Sequence, residues 1–244
     1  MRMLLLAGTA EGAQIARALA REERVVATAS LARATPTPMA LGLPTRIGGW
    51  GSEEAFRVWL HRERIDAVLD ATHPFAVGIT ERTARVCADE GVAFLQFLRR
   101  SWTPGRDDRW EFLNVEAAAA KVIPADARVL LSTGQRGLER FDALADRVLY
   151  ARVPFLPDAP FPYPHGGYVV RPPGMPVAAE EALLHALDVT WIVARNSGSA
   201  SGMAKLEAAR RLGLSVAMIR RPPQPEIARI STVAEALSWV RRRL

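Results

Sequence analysis

The residues best suited to chemistry stand at turns that follow short apolar runs. The first is Gly8-Thr9, placed directly after the apolar run at residues 3–7 and before a helical pattern from Gly12. An apolar run, a glycine and a helix start read as a buried parallel strand, a tight turn and a helix N-terminus. The unpaired amides of such a helix start bind anions such as phosphate. Gly8 lets a ligand approach the backbone, and Thr9 offers a hydroxyl. Of the G-x-G-x-x-G dinucleotide pattern, however, only Gly8 and Gly12 are present. The same residues also describe an ordinary strand-to-helix turn.

A second cluster follows the strand expected at residues 25–29. An NAD-binding unit places an acid near this strand end, on the ribose hydroxyls. This chain has Ser30-Leu31-Ala32-Arg33 instead. Ser30 and Arg33 can hold a 2′-phosphate that a carboxylate would repel. A dinucleotide bound here is therefore NADP, although a lone Arg33 also fits a solvated loop. Gly48, Gly49 and Gly51 follow a short strand at Thr45–Ile47 and imply a backbone running close to a ligand or a neighbouring strand.

His73 follows the strand expected at residues 65–71, in Thr72-His73-Pro74-Phe75-Ala76. Strand ends on this edge of an open α/β sheet form the ligand crevice. A local cap or packing role fits His73 as well. It ranks first among the four histidines, because His61 and His185 fall in helical patterns and His165 in a loop. No pair has H-x-x-x-H spacing, so no metal site is expected. Further strand ends carry cations and small polar residues: Arg99-Arg100-Ser101, Ser132-Thr133-Gly134-Gln135-Arg136 and Arg195-Asn196-Ser197-Gly198. Lys205 is expected to open the helix after the last of these.

The elements between these turns alternate. Helical patterns at residues 12–22, Glu53–Glu63, 77–90, 178–187 and 205–212 follow short apolar strands. An edge strand at 110–115 and a helix at 116–122 start a second series. Residues 154–176, rich in Pro, Gly and aromatics, read as a structured loop over a site. Thr232 and Glu235 form a capping box for a terminal helix. The expected fold is α/β: two tandem Rossmann-like domains with parallel sheets, 1–100 and 101–244, and a cleft between them.

Composition narrows the class. The chain has 244 residues, 49% of them apolar, which is enough for a sizeable core. A net charge of +6, mostly from Arg, suits an acidic partner such as a phosphorylated cofactor or a polycarboxylate. An Arg-rich proteome explains it equally well. Cys87 is the single cysteine, so no disulfide forms within the chain. The first apolar run is too short for a signal peptide, and no stretch approaches the ~20 residues of a membrane helix. A cytoplasmic protein is expected, with no membrane or nucleic-acid partner.

In order along the chain, LLLAGTAEG, SLAR, IGGWG, DATHPFA, LQFLRRSW, LLSTGQRG and VARNSGSASGMAKLEAARRLG span residues 4 to 213. As an ordered set they resemble the precorrin-6A reductase family of cobalamin biosynthesis. The resemblance implies NADPH-dependent reduction of one double bond in a tetrapyrrole macrocycle, in its cobalt-free or cobalt-containing form. It implies that Gly8, Thr9 and Glu11 form the cofactor turn, with Ser30 and Arg33 at the 2′-phosphate. Gly48, Gly49 and Gly51 would lie beside the cofactor, and Thr72 and His73 near cofactor and macrocycle. The substrate it implies carries many carboxylates, which suit Arg99, Ser101, Thr133, Gly134, Arg136, Arg195, Asn196, Ser197, Gly198 and Lys205. His73 is then the candidate proton donor, with a water as the alternative. The family often reads Gly-Gly-Thr where this chain has Ala7-Gly8-Thr9, and Lys where it has Arg195.

Other classes share single features. A short-chain dehydrogenase needs Tyr-x-x-x-Lys, and none of Tyr150, Tyr163 and Tyr168 has Lys four residues on. A P-loop kinase needs G-x-x-x-x-G-K-[ST], which is absent. No basic-aromatic motif supports a nucleic-acid binder. A non-catalytic NADPH-binding regulator remains open at this level.

Overall fold

The computed structural model describes residues 1–32 and 40–244. Arg33 and the Thr35-Pro36-Thr37-Pro38 stretch lie outside the described residues. The chain divides into two compact units, Met1–Arg100 with Pro223–Leu244, and Ser101–Pro222.

The strands of the first unit are β1 (Arg2–Leu6), β2 (Val26–Leu31), β3 (Thr45–Ile47), β4 (Ala67–Asp70) and β5 (Ala93–Phe97). The second unit holds β6 (Arg109–Leu113), β7 (Arg128–Ser132), β8 (Val148–Val153), β9 (Gly166–Val170), β10 (Trp191–Arg195) and β11 (Ser215–Ile219). A last strand, β12 (Arg229–Ile230), returns to the first unit. The helices are α1 (Ala10–Leu19), α2 (Glu53–Glu63), α3 (Val77–Asp89), α4 (Val177–Ala186), α5 (Ala200–Arg211) and α6 (Val233–Arg241).

The first sheet runs β3-β2-β1-β4-β5-β12 and the second β9-β8-β7-β10-β11-β6. Every pairing in both is parallel. Each sheet therefore has the doubly wound order, reversing direction between β1 and β4 and between β7 and β10.

Parallel inner strands are buried on both faces and read as continuous apolar runs. In β1, Met3 and Leu5 join a core with Ile15 and Leu19 of α1 and Trp239 and Val240 of α6. The alternate residues Leu4 and Leu6 pack with Phe56 and Leu60 of α2 and with Val86 and Cys87 of α3. The sheet is thus covered on both faces, as this architecture requires. In the second unit Leu130, Ile192 and Met218 pack with Leu184 of α4 and Leu206 of α5. No helix among the described residues is long and apolar enough to cross a membrane.

Several elements differ from the sequence expectation. α1 begins at Ala10 because the Thr9 side chain caps it, accepting from Gly12 N. α5 begins at Ala200, capped by Ser199, which places Lys205 in its second turn instead of at its start. The 116–122 segment forms a 3-10 helix, Glu116–Lys121, and another spans Leu138–Leu144. Residues 154–176 are not all loop: β9 lies within them and pairs with β8. A Cβ on Gly166 would fall 1.8 Å from Leu149 O, so only glycine lets this edge strand close on its neighbour.

Residues 223–244, expected with the second domain, belong to the first unit. Two interactions draw them there. β12 continues the ladder beyond β5, with Leu98 N donating to Ile230 O at 2.8 Å. α6 covers α1, and its Trp239 is only 6% exposed. Trp239→Ala is expected to destabilise the first unit by roughly 3–5 kcal/mol, the cost of truncating a buried aromatic. Denaturant unfolding measures this. A loss below about 0.5 kcal/mol would mean that α6 is a loosely attached tail.

Candidate active site

In the first unit the chemistry-bearing turns gather on the carboxyl edge of the sheet. Thr9 fastens the switch point between β1 and β4. Its hydroxyl donates to Ala71 O at 2.9 Å and accepts from Gly12 N at 3.0 Å. That hydroxyl is therefore engaged in holding two strand ends together. A Cβ on Gly12 would meet Ala71 Cβ and Thr9 Oγ1, both at 3.3 Å, so this glycine serves close helix–strand packing. At Gly8 the nearest atom to a Cβ would be Thr72 Cα at 3.8 Å, which leaves the space before the turn open.

Glu11 stands in the first turn of α1, where its charge would repel a phosphate bound at the helix start. Arg99, at the end of β5, donates from Nη1 to Glu11 Oε2 at 2.6 Å. Both side chains are largely buried. The pairing neutralises the carboxylate and puts a guanidinium near the first turn of α1.

Thr72 and His73 follow β4. Asp70, fully buried, accepts from Thr72 N at 2.9 Å and from Thr80 Oγ1 at 2.5 Å. These bonds fix the turn that carries His73 to the start of α3. Burial pushes the Asp70 carboxyl up, against the hydrogen bonds from Thr80 and Thr72. Phe75 N donates to His73 Nδ1 at 3.3 Å, which places the proton of a neutral ring on Nε2. Sequence pattern alone passes over Asp70. The available signal is an acid at the end of an otherwise apolar buried strand.

Ser30 lies at the carboxyl end of β2, and Arg46 reaches it from β3. Arg46 Nη1 donates to Ser30 Oγ at 3.2 Å and to Gly48 O at 2.7 Å, and Nη2 donates to Gly49 O at 3.1 Å. The guanidinium stacks 4.0 Å from the Trp50 ring centroid. Gly48 and Gly51 have φ of +106° and +74°, which accounts for glycine in this turn. Among the described residues no carboxylate pairs with Arg46, and burial moves its pKa downward. Arg46 is the cation the sequence reading missed at this edge.

In the second unit Thr133, Gly134 and Arg136 follow β7, and Arg195, Asn196, Ser197 and Gly198 stand at the end of β10. Several of these side chains have structural partners. Asn196 Oδ1 accepts from Trp102 N at 2.8 Å and its Nδ2 donates to Trp102 O at 2.9 Å. Arg195 Nη2 donates to Glu116 at 2.9 Å. Ser197 Oγ donates to Ser199 Oγ at 3.2 Å, and the Ser197 backbone O accepts from Arg221 Nη2 at 3.0 Å. Thr133 Oγ1, by contrast, is buried with no hydrogen-bond partner among the described residues. Ser101 is exposed at the start of the unit, and Lys205 lies in α5.

Two open sheets with glycine, hydroxyl and cationic turns at their switch points are what a dinucleotide-dependent enzyme needs. A family model described as precorrin-6x reductase CbiJ/CobK matches residues 2–241. The chain belongs to the precorrin-6x reductase family. It is 38% identical over 240 residues to the precorrin-6A reductase of Rhodobacter capsulatus, covering 98% of this chain and 95% of that one. The precorrin-6A reductase of Mycobacterium tuberculosis is 41% identical over 241 residues, with 98% and 97% covered. The solved structure of CobK precorrin-6A reductase superposes with a TM-score of 0.93 at 37% identity, over 99% of this chain and 96% of that one. Membership of the precorrin-6x reductase family makes the chain an oxidoreductase of cobalamin biosynthesis and implies a nicotinamide cofactor and a tetrapyrrole substrate. The open space at Gly8, the neutralised Glu11 and the Ser30–Arg46 pair fit such a cofactor.

A carboxyl whose pKa is raised by folding binds its proton more tightly folded than unfolded. Its contribution to stability falls as pH rises from the unfolded pKa through the folded one. Asp70→Asn keeps an acceptor for Thr72 N and removes the buried charge. The variant's melting temperature relative to the parent is expected to rise between pH 4 and pH 7. A difference that stays constant over that range would show that Asp70 is not the group responsible.

Proposed function

We propose that the chain reduces one double bond of the precorrin-6A macrocycle with NADPH. The observation that carries the cofactor choice is the Ser30–Arg46 pair at the ends of β2 and β3, where an NAD-binding sheet presents an acid. The relatives named above support precorrin-6A as the substrate.

In this reading the amides at the start of α1, beside Gly8 and Thr9, hold the diphosphate, with Arg99 offsetting Glu11. Ser30 and Arg46 hold the 2′-phosphate. Gly48, Gly49 and Gly51 form the turn beside them, and Thr72 flanks the nicotinamide end. The cofactor supplies hydride, and the chain supplies position and electrostatics. Hydride addition at one carbon requires a proton at its neighbour. His73 Nε2–H is the donor we assign, with Asp70 positioning it through the Thr72 turn. Ser101 at the start of the second unit, Thr133, Gly134, Arg136 and Gly198 after its strands, and Lys205 in α5 receive substrate carboxylates. Arg195, Asn196 and Ser197 shape that edge through their structural bonds.

The deciding experiment follows NADPH absorbance anaerobically with precorrin-6A, beside NADH and cobalt-precorrin-6A. Oxidation coupled to a colour change of the macrocycle, fastest with NADPH and precorrin-6A, is the expected result. NADPH binding without turnover on either tetrapyrrole would instead favour a non-catalytic regulator or a reductase of another conjugated substrate. Arg46→Gln is expected to raise KM for NADPH about 10-fold or more and leave that for NADH within about 2-fold, as loss of a charge-assisted phosphate contact does. Equal effects on both would reduce Arg46 to a support for the glycine turn. His73→Ala is expected to lower kcat by ~10²-fold if it is the acid. An unchanged kcat would hand the proton to water.

A further inference from the structure

A glutamine inside a buried strand must find partners for its amide or cost stability. Gln96 is 4% exposed in β5, flanked by Leu95 and Phe97 of the core. Its Nε2 donates to Gln224 Oε1 at 3.3 Å, and its Oε1 has no hydrogen-bond partner among the described residues. An apolar side chain would pack there without that cost. The group that Gln96 does hold is Gln224.

Gln224 lies in the segment that returns to the first unit after the second. It is half-buried, and its Nε2 donates to Pro74 O at 3.0 Å across 150 positions of sequence. Proline has no N–H, so that carbonyl is the one backbone hydrogen-bonding group Pro74 offers. Both amide orientations follow: Gln224 turns Nε2 to Pro74, which leaves Oε1 for Gln96 Nε2. The backbone of Gln224 is restrained as well. Pro223 and Pro225 flank it, and a residue before proline is confined to extended backbone. Ile227 N then donates to Pro225 O at 3.0 Å, and β12 docks with Arg229 opposite Gln96. Gln96 N donates to Ala228 O at 3.1 Å. One residue of β5 thus seats the returning chain by its backbone and Gln224 by its side chain.

Pro74 follows His73 in the turn between β4 and α3. α3 has no side-chain cap at Ala76. The bond from Ala76 N to His73 O, at 2.7 Å, sets the shape of the turn but not its place on the sheet. Asp70 ties the start of the turn through Thr72 N, and Gln224 ties its middle through Pro74 O. Both ties originate at one level of the sheet, because Asp70 and Gln96 stand opposite each other in the β4–β5 ladder.

We propose that Gln224, seated by Gln96, is a positioning residue that holds the His73 turn in place for proton transfer. The proposal rests on the reading of His73 as the proton donor in a reductase. Hydride and proton must reach neighbouring carbons, and a donor displaced by about 1 Å loses much of its rate. Gln224 acts through the Pro74 carbonyl and not on the reacting atoms.

The test joins amide hydrogen exchange of the full chain to anaerobic turnover of precorrin-6A with NADPH. In Gln224→Leu the Ala76 amide is expected to exchange about 10-fold faster, while β4 amides such as that of Val68 keep the parent rate. Its kcat is expected to fall about 10-fold, with the Kd for NADPH within about 2-fold of the parent. Gln224→Glu keeps the length and the acceptor for Gln96, but once ionised it cannot donate to Pro74 O, so it should match Gln224→Leu. In a His73→Ala background, Gln224→Leu should change kcat by less than about 2-fold, because the group it positions is gone. Parent-like exchange at Ala76 would overturn the proposal whatever turnover shows. So would a kcat loss of equal size with and without His73, or a Gln224→Glu variant with parental kcat. Equal acceleration at Ala76 and Val68 would make Gln224 a general support of the fold and overturn it too. A parent chain that does not reduce precorrin-6A would refute the reductase reading, and exchange at Ala76 would still report whether Gln224 fixes the turn.

Discussion

When every strand of a sheet runs the same way, every carboxyl end lies on one edge. Both sheets here obey that constraint, and the chemistry follows from it. Each crossover must carry the chain back over a face, so each turn after a strand opens on the same side. Residues far apart in sequence become neighbours there. Glu11 and Arg99, 88 positions apart, meet at 2.6 Å. Thr9 and Ala71, 62 apart, share a hydrogen bond at the point where the strand order reverses. The same rule brings Ser132, the end of β8, Arg171 and Ser201 to one cavity in the second unit.

An open sheet must also protect its outer strands, whose unpaired amides and carbonyls invite association. Each unit takes its sixth strand from outside the run of five that winds around its switch point. In the second unit β6 precedes that run. In the first, β12 follows the entire second unit and closes the edge of β5. A two-residue strand contributes few ladder bonds. The larger anchor is α6, whose Ala236, Trp239 and Val240 complete the core beside α1. The chain consequently crosses between the units twice, and β12 and α6 of the first unit are made after the whole of the second.

Much of this was legible in sequence because it depends on local patterns. Continuous apolar runs such as Met3–Leu6 mark strands buried on both faces, and the Thr232–Glu235 capping box forms as its spacing implies. β9 was hidden because Gly166 and Gly167 have low strand propensity, and a glycine is needed there for close approach. β12 is too short to show a period. Glu116–Lys121, Ala-rich, reads as an α-helix by propensity, yet it is a single short 3-10 segment. At the site, strand order makes the position of a side chain predictable but not its partner. Asn196, which looks free to meet a ligand, clamps the Trp102 backbone. Arg46, one charge in a three-residue strand, looks solvated, yet it binds Ser30 and the glycine turn together.

Net charge shows the same limit more sharply. A value of +6 says that cations are in excess, not which of them are available to a ligand. Arg99 is held by the half-buried Glu11 and Arg152 by the buried Glu180. Arg46 in β3 and Lys205 in α5 have no carboxylate within ion-pair distance among the described residues. Leaving a cation uncompensated in a partly buried setting lowers the stability of the free protein. An anionic ligand that supplies the missing charge recovers that loss on binding.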